Sequence, residues 1–243
     1  MNWCENVILL ATVDSTNNYA MRLIDDDKAQ AGLLVVAQQQ QAGKGQRGRQ
    51  WQDQPGESLL MSLLVQPQLP LSQQFIFSAT VAVAVTGVVA TLLPDARVAI
   101  KWPNDIIIND KKAGGILIEN QLRGSQWLYA VVGLGLNVNQ PALPGLPHAT
   151  SLAMNGATVK DIPSLALRLR EAIRQALSLA NKPALLRHYN DQLYRKGQWQ
   201  QFLTQEGKIS ARVEGVLPEG RLCLRLADGS QRQIWHGEWE WVW

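Results

Sequence analysis

The chain has 243 residues, 46% of them hydrophobic and 18% charged, with a formal net charge of +3. That length holds one large domain, or a medium domain with a small module attached, and the composition is globular. The charge is too small for nucleic-acid binding as a global property, so any basic site must be local.

Cys4 and Cys223 lie near opposite ends. This excludes a clustered-cysteine metal site and fits a reducing compartment. The start, MNWCENVILLATVD, has no basic segment before its apolar run and does not read as a secretion signal.

Residues 7–12, VILLAT, read as a strand ending at DSTNNYAMRLI, where Ser15 or Thr16 caps a helix. GLLVVAQQQ (32–40) and SLLMSLLVQ (58–66) read as strands on either side of a glycine-rich loop. FIFSATVAVAVTGVVATLL (75–93) carries no charge and is long enough to span a bilayer. Its Ala, Thr, Ser and Gly content, without basic or aromatic flanks, favours a helix buried against a sheet. Ser72 is expected to cap it and Pro94 to end it.

RVAIKW, IIIN and AGGILIEN follow as strands, the last two joined through Asn109 and Asp110, and then WLYAVVGLGLNVN. Two helices, SLALRLREAIRQALSLA and PALLRHYNDQLY, close this part. Strands in runs, not in alternation with helices, predict an α+β fold with a sheet covered by helices. From about residue 207 short strands joined by turn pairs such as Asp228-Gly229 predict a small β-barrel. Trp235, Trp239, Trp241 and Trp243 fall on alternate positions, as one buried strand face requires. The expected division is a main domain, residues 1–195, and a small barrel, 196–243.

The loop QQAGKGQRGRQW (40–51) satisfies G-x-G-x-x-G through Gly43, Gly45 and Gly48. A dinucleotide fingerprint must open a helix, and RQWQDQPGES, with Pro55 and Gly56, will not form one. No Walker motif is present. What remains is an open loop whose backbone N–H groups, with Lys44, Arg47 and Arg49, can converge on an anion, while Trp51 offers a flat surface for a ring.

Four further segments, DSTN (14–17), KWPNDI (101–106), KAGGILIE (112–119) and GLGLNVN (133–139), stand with this loop. In order and spacing the five resemble the biotin protein ligases, the biotin–acetyl-CoA-carboxylase ligases, over nearly the whole chain. The resemblance implies a class II synthetase-like catalytic fold, a mixed β-sheet covered by helices, with a small C-terminal SH3-like β-barrel. It implies ATP, Mg²⁺ and biotin as reactants, giving biotinyl-5′-AMP. The acceptor would be a lysine of the biotin carboxyl carrier domain of acetyl-CoA carboxylase or another biotin-dependent carboxylase.

On this resemblance Ser15, Thr16, Asn17 and Gln40 contact the ureido ring. Gly43, Lys44, Gly45 and Gln46 close over the ligand, while Arg47, Arg49 and Trp51 hold the adenylate. Lys112 stands between the biotin carboxylate and the α-phosphate as the catalytic cation, with Arg47 and Arg49 assisting. Gly114, Gly115 and Leu117 line the biotin pocket; Lys101, Asn104 and Asn137 lie near the nucleotide, and Asp105 is a candidate metal ligand.

Two departures stand out. The family loop reads Gly-Arg-Gly-Arg-x-Gly-Arg-x-Trp, but this chain has Lys44 and Gln46 at the first two arginines, which implies a looser hold on the adenylate. The chain starts directly at the strand before DSTN, so a ligase without the helix-turn-helix module of some members is expected. The alternatives are a lipoate protein ligase of the same fold, a non-catalytic biotin or adenylate sensor, and a nucleic-acid-binding module. The last is disfavoured because the cations concentrate in one loop. No membrane partner and a cytoplasmic location are expected; monomer or homodimer stays open.

Overall fold

A computed structural model describes residues 3–179 and 182–243. The chain opens as a β-α-β unit. Strand β1 (Val7–Val13) leads through helix α1 (Thr16–Asp25) to β2 (Leu34–Gln40), which lies parallel to β1. All later pairings in this sheet are antiparallel. They involve β3 (Ser58–Val65), β4 (Val98–Lys101), β5 (Asp105–Ile108), β6 (Lys111–Arg123) and β7 (Gln126–Asn137). The order is β1-β2-β3-β7-β6-β5-β4, a mixed seven-stranded sheet as expected. Asn109 and Asp110, at φ 47° and 65°, make the two-residue turn from β5 to β6, since both tolerate the left-handed backbone such a hairpin needs.

Helices cover both faces. Alternation along the strands sends Leu34, Val36, Leu63 and Val65 to the larger core beneath helices α2 (Gln74–Leu92) and α3 (Ile162–Ser178). It sends Val35, Leu64 and Val131 to a smaller core beneath α1. Every residue of β3 is buried, because both of its faces are covered.

The uncharged helix α2 is a core helix: Phe77, Val81, Val85 and Val89 are all buried, and it packs on α3, β4 and helix α4 (Lys182–Asp191). It starts later than expected. Ser72 lies within a 3₁₀ turn, Leu71–Gln73, so Gln73 occupies the cap position and Ser72 does not. The helix ends at Leu92, ahead of Pro94.

Five strands form a second sheet. They are β8 (Trp199–Thr204), β9 (Gly207–Val216), β10 (Leu222–Leu226), β11 (Gln231–Ile234) and β12 (Glu240–Trp241), in the order β11-β10-β9-β8-β12. Here the structure corrects the expected SH3-like barrel. The sheet is open, with β11 and β12 at opposite edges and no ladder between them. Closing a barrel requires its first and last strands to pair. β12 is only two residues long, and the chain turns at Gly237 (φ 86°) before reaching it.

Phe202, Val213, Leu222 and Ile234 of this sheet belong to the same apolar cluster as the main core. Docking is polar as well: Trp102 Nε1 donates to Gly220 O at 3.0 Å, and Asn190 bonds both backbone groups of Val216.

The expected tryptophan face is also corrected. Trp235 is 54% exposed and Trp243 45% exposed. Gly237 redirects the chain, so the alternate indoles do not share one buried side. Trp239 and Trp241 do pack on Phe202 and the core, and with Trp243 they also line a pocket of the main domain.

Candidate active site

The pocket grows from strand register. Ser62, Gly133 and Leu117 are paired in one row across β3, β7 and β6, and Leu60, Gly135, Gly115 and Asp105 in the next. Paired residues point to the same face, so the glycines cut a trough into the α1 side of the sheet. A Cβ on Gly135 would sit 2.6 Å from the Trp51 ring, and one on Gly133 would overlap the Asn17 amide. Both glycines are therefore space for another side chain.

Over this trough lies a cavity of about 540 Å³. Its inner end is built at the start of α1. Ser15 holds the N-cap position without a side-chain cap bond, and its buried hydroxyl lines the cavity. Gln40 Oε1 accepts from Thr16 N at 2.8 Å and from Thr16 Oγ1 at 3.1 Å. Ser62 Oγ lies 2.8 Å from Thr16 Oγ1 and 2.6 Å from Asn17 Oδ1. Asn17 Nδ2 donates to Glu119 Oε2 at 2.7 Å and to Leu117 O at 3.3 Å. These buried polar groups are orientated by one another, so the pocket floor is held before any ligand arrives.

The glycine loop forms a small hairpin across the mouth. Trp51 N donates to Gly43 O at 2.9 Å and Gly45 N to Arg49 O at 2.7 Å, around a 3₁₀ turn, Gln46–Gly48. Arg47 (φ 56°) and Gly48 (φ 75°) make the reversal. Lys44, Gly45, Gln46, Arg47, Arg49 and Trp51 all line the cavity. Gln46 Oε1 and Trp51 Nε1 are buried without a hydrogen-bond partner. A buried polar atom left unpaired costs about 1–3 kcal/mol, so a ligand that satisfies them would be favoured.

The outer end is cationic. Lys112 Nζ is 2.7 Å from Asp105 Oδ1, beside Gly115. Its backbone is pinned by His148 O, which accepts from Lys112 N at 2.7 Å, and by Thr150 N, which donates to Lys112 O at 2.9 Å. Asn104 donates its amide to Ile116 O, tying the KWPND turn, with its cis Trp102–Pro103 bond, to β6.

Lys101 is only 5% exposed, and burial pushes its ammonium down to about 8. Asp105 and Glu240 oppose that shift, while Lys112 and Arg49 add to it. His236 is also pushed down, by burial first and then by Arg47. Five cations and two carboxylates line the cavity, so an anion is favoured there.

Three expected site residues lie elsewhere. Gly43 is buried behind Trp51, and Gly114 packs against Gly135 O; neither lines the cavity. Asn137 spends its amide on Thr150 O at 3.0 Å and is buried away from the pocket. Gly133 and Gly135 line the floor, and Ser62 and Glu119 hold Thr16 and Asn17 from behind it, without having been singled out by sequence. A serine inside the apolar strand SLLMSLLVQ was the one available sign. His236, Gly237, Glu240, Trp241 and Trp243 line the outer wall; no local pattern marked the first three, and the alternate spacing of the two tryptophans pointed to a core face.

A preformed polar floor, a cationic mouth and a glycine hairpin laid across both define a cavity suited to a small ligand next to an anion. The sequence pattern of the Biotin/lipoate A/B protein ligase family matches residues 9–137, and the chain belongs to that family. A biotin–[acetyl-CoA-carboxylase] ligase of Mycobacterium tuberculosis is 30% identical over 79% of this chain and 73% of its own length. The bifunctional ligase/repressor BirA of Bacillus spizizenii is 40% identical over 138 residues, 56% of this chain. The chain spans 41% of that relative's length. The structure superposes on a biotin protein ligase of Aquifex aeolicus, determined with biotin and ATP. The TM-score is 0.79, with 26% identity and 98% of both chains covered.

Proposed function

We propose that this chain joins biotin to ATP as biotinyl-5′-AMP and passes the biotinyl group to a lysine of a biotin carboxyl carrier domain. The observation that carries this reading is the polarity of one cavity: hydrogen-bonding groups of Ser15, Thr16 and Gln40 at its inner end, ammonium and guanidinium groups at its outer end. A neutral ureido ring needs both donors and acceptors, and the inner end supplies them. The dithiolane of lipoate offers no N–H or C=O and would leave those buried groups unpaired, which favours biotin over the lipoate alternative.

In the first step a carboxylate oxygen attacks the α-phosphorus and pyrophosphate leaves. Lys112, beside Gly115 at the outer end, lowers repulsion between the two anions. Arg47, Arg49 and Lys101 take the phosphate charge, and the loop hairpin shields the mixed anhydride from water. In the second step the lysine amine attacks the acyl carbon, AMP departs with the C–O electron pair, and the amine proton is lost to solvent.

Mg²⁺ enters this scheme as the companion of ATP. Among the described residues no cluster of three His, Cys, Asp or Glu exists, and Asp105 is already paired with Lys112. That suits a metal held mainly by triphosphate oxygens and water, with Asp105 as the nearby protein carboxylate. The division into a catalytic domain (1–195) and a smaller unit (196–243) belongs to the same proposal. So does a cytoplasmic location, which the two unpaired cysteines, Cys4 and Cys223, support.

ATP–pyrophosphate exchange with biotin, with lipoate and with neither tests the reading. Exchange dependent on biotin is expected; exchange with lipoate alone would replace it, and biotin binding without exchange would make the protein a sensor.

Two further results should follow. Gln46→Arg places a charge-assisted donor at the unpaired Gln46 position and should lengthen the half-life of bound biotinyl-AMP about tenfold. Release of labelled adenylate in a chase would measure it, and an unchanged half-life would show that position 46 does not hold the phosphate. Lys101 loses its charge as pH rises through about 8, because burial disfavours the ammonium. The KM for ATP should therefore climb above that pH, and Lys101→Met should remove the climb.

A further inference from the structure

Each of three cations that the proposed function assigns to phosphate is met by the C-terminal segment, in three different ways. Glu240 Oε1 lies 3.6 Å from Arg49 Nη2. Gly237 leaves open the space in which the Arg47 guanidinium lies, and any Cβ there would overlap it. Lys101 Nζ sits 3.6 Å from the centre of the Trp243 ring and 5.4 Å from that of Trp241.

The contact with Lys101 is the informative one. This ammonium is buried, yet among the described residues Nζ has no hydrogen bond or ion pair; indole faces are its direct contacts, with the Asp105 and Glu240 carboxylates acting on it only from a distance. A buried ammonium without a carboxylate in direct contact is costly, and an aromatic face recovers part of that cost while leaving the charge open to an anion.

Trp243 is braced for this task. It stacks on His148, with ring centres 5.5 Å apart and planes 17° apart, and leans on Tyr194 at 6.3 Å. His148 O in turn holds the backbone of Lys112. Trp243 keeps 45% of its surface exposed, so core burial does not account for its position.

We infer that Trp243 is a positioning residue for ATP binding: its indole face holds the Lys101 ammonium in the pocket, aimed at the phosphate. The inference rests on the proposed function for its ligand, but its geometry is tested separately.

Trp243→Phe keeps an aromatic face and Trp243→Leu keeps apolar bulk without one. In biotin-dependent exchange by the full chain, Trp243→Leu should raise the KM for ATP about tenfold, with little change in kcat or in biotin affinity. Trp243→Phe should return most of the loss. Without substrates, acetylation of Lys101 by acetic anhydride, followed by mass spectrometry, should be several times faster in Trp243→Leu than in the parent or in Trp243→Phe. An unchanged KM for ATP in Trp243→Leu, or equal behaviour of the Leu and Phe variants, would overturn the inference. Should the parent show no biotin-dependent exchange, the functional reading falls; the acetylation rates then decide, and equal protection of Lys101 in all three proteins removes the role of Trp243.

Discussion

Lys112→Ala is expected to slow biotin-dependent ATP–pyrophosphate exchange by about a hundredfold to a thousandfold, the usual cost of removing one fixed donor from a site where charge develops. Biotin binding should change little, because the ureido-binding groups stand at the other end of the cavity. Lys112 Nζ is held by Asp105 at 2.7 Å, and its backbone is clamped on both sides by residues 148 and 150. It is therefore set in place before ATP arrives, and preorganisation of this kind acts on the barrier more than on ground-state binding.

The substitution also leaves the Asp105 carboxylate without its partner, which adds repulsion toward phosphate. Lys112→Ala with Asp105→Asn separates the two effects: partial recovery in the double variant would measure the repulsion. Calorimetric titration with biotin and exchange kinetics distinguish the outcomes. Equal losses in biotin affinity and rate would show that Lys112 shapes the pocket and takes no part in the transition state.

Gly133→Ala should weaken biotin binding by about a hundredfold or more. The added methyl would occupy the position of the Asn17 amide, so Asn17 must leave. Its departure breaks the bonds to Glu119 and Leu117 O and removes one of the two partners of Ser62 Oγ, which is fully buried. The buried Asn17 amide and Ser62 hydroxyl lose partners together, and each such loss costs about 1–3 kcal/mol. The backbone of Gly133 has no positive φ, so alanine itself is tolerated in the strand and the protein should remain folded. Circular dichroism and a biotin titration check this; an unchanged biotin affinity would mean that the Asn17 position has no bearing on the ligand.

The class of fold was legible because local patterns carry it. VILLAT and SLLMSLLVQ alternate or run apolar over strand lengths, and the Asn109-Asp110 pair permits the left-handed turn that joins β5 to β6. The uncharged helix 74–92 was legible as buried from its small residues, although its first residue was displaced because a 3₁₀ turn competed for Ser72. The floor residues Ser15, Thr16 and Gln40 and the cations Lys44, Arg47, Arg49, Lys101 and Lys112 came from motifs, and the structure brings them to one cavity.

What the sequence by itself determined is therefore the sheet with its helices, the glycine loop, though not its hairpin form, and most groups that line the cavity, since short stretches of chain encode periodicity, turn chemistry and motif spacing. Only the tertiary structure decided the rest. Whether the C-terminal strands close depends on pairing β11 with β12, a contact between edges that no local pattern reports, and the two-residue β12 leaves the sheet open. Alternate tryptophans indicate a shared face only while the strand continues. Gly237 breaks it: Trp241 packs on Phe202 of its own sheet and also faces Lys101 of the other, and the half-exposed Trp243 covers Lys101. Asn137 shows the same limit from the other side: it sits next to the glycines that form the trough, yet Thr150 O takes its amide and leaves it facing away. Contacts between distant segments decide such orientations, because the partner that satisfies a polar group or covers a charge is present only after the chain has folded.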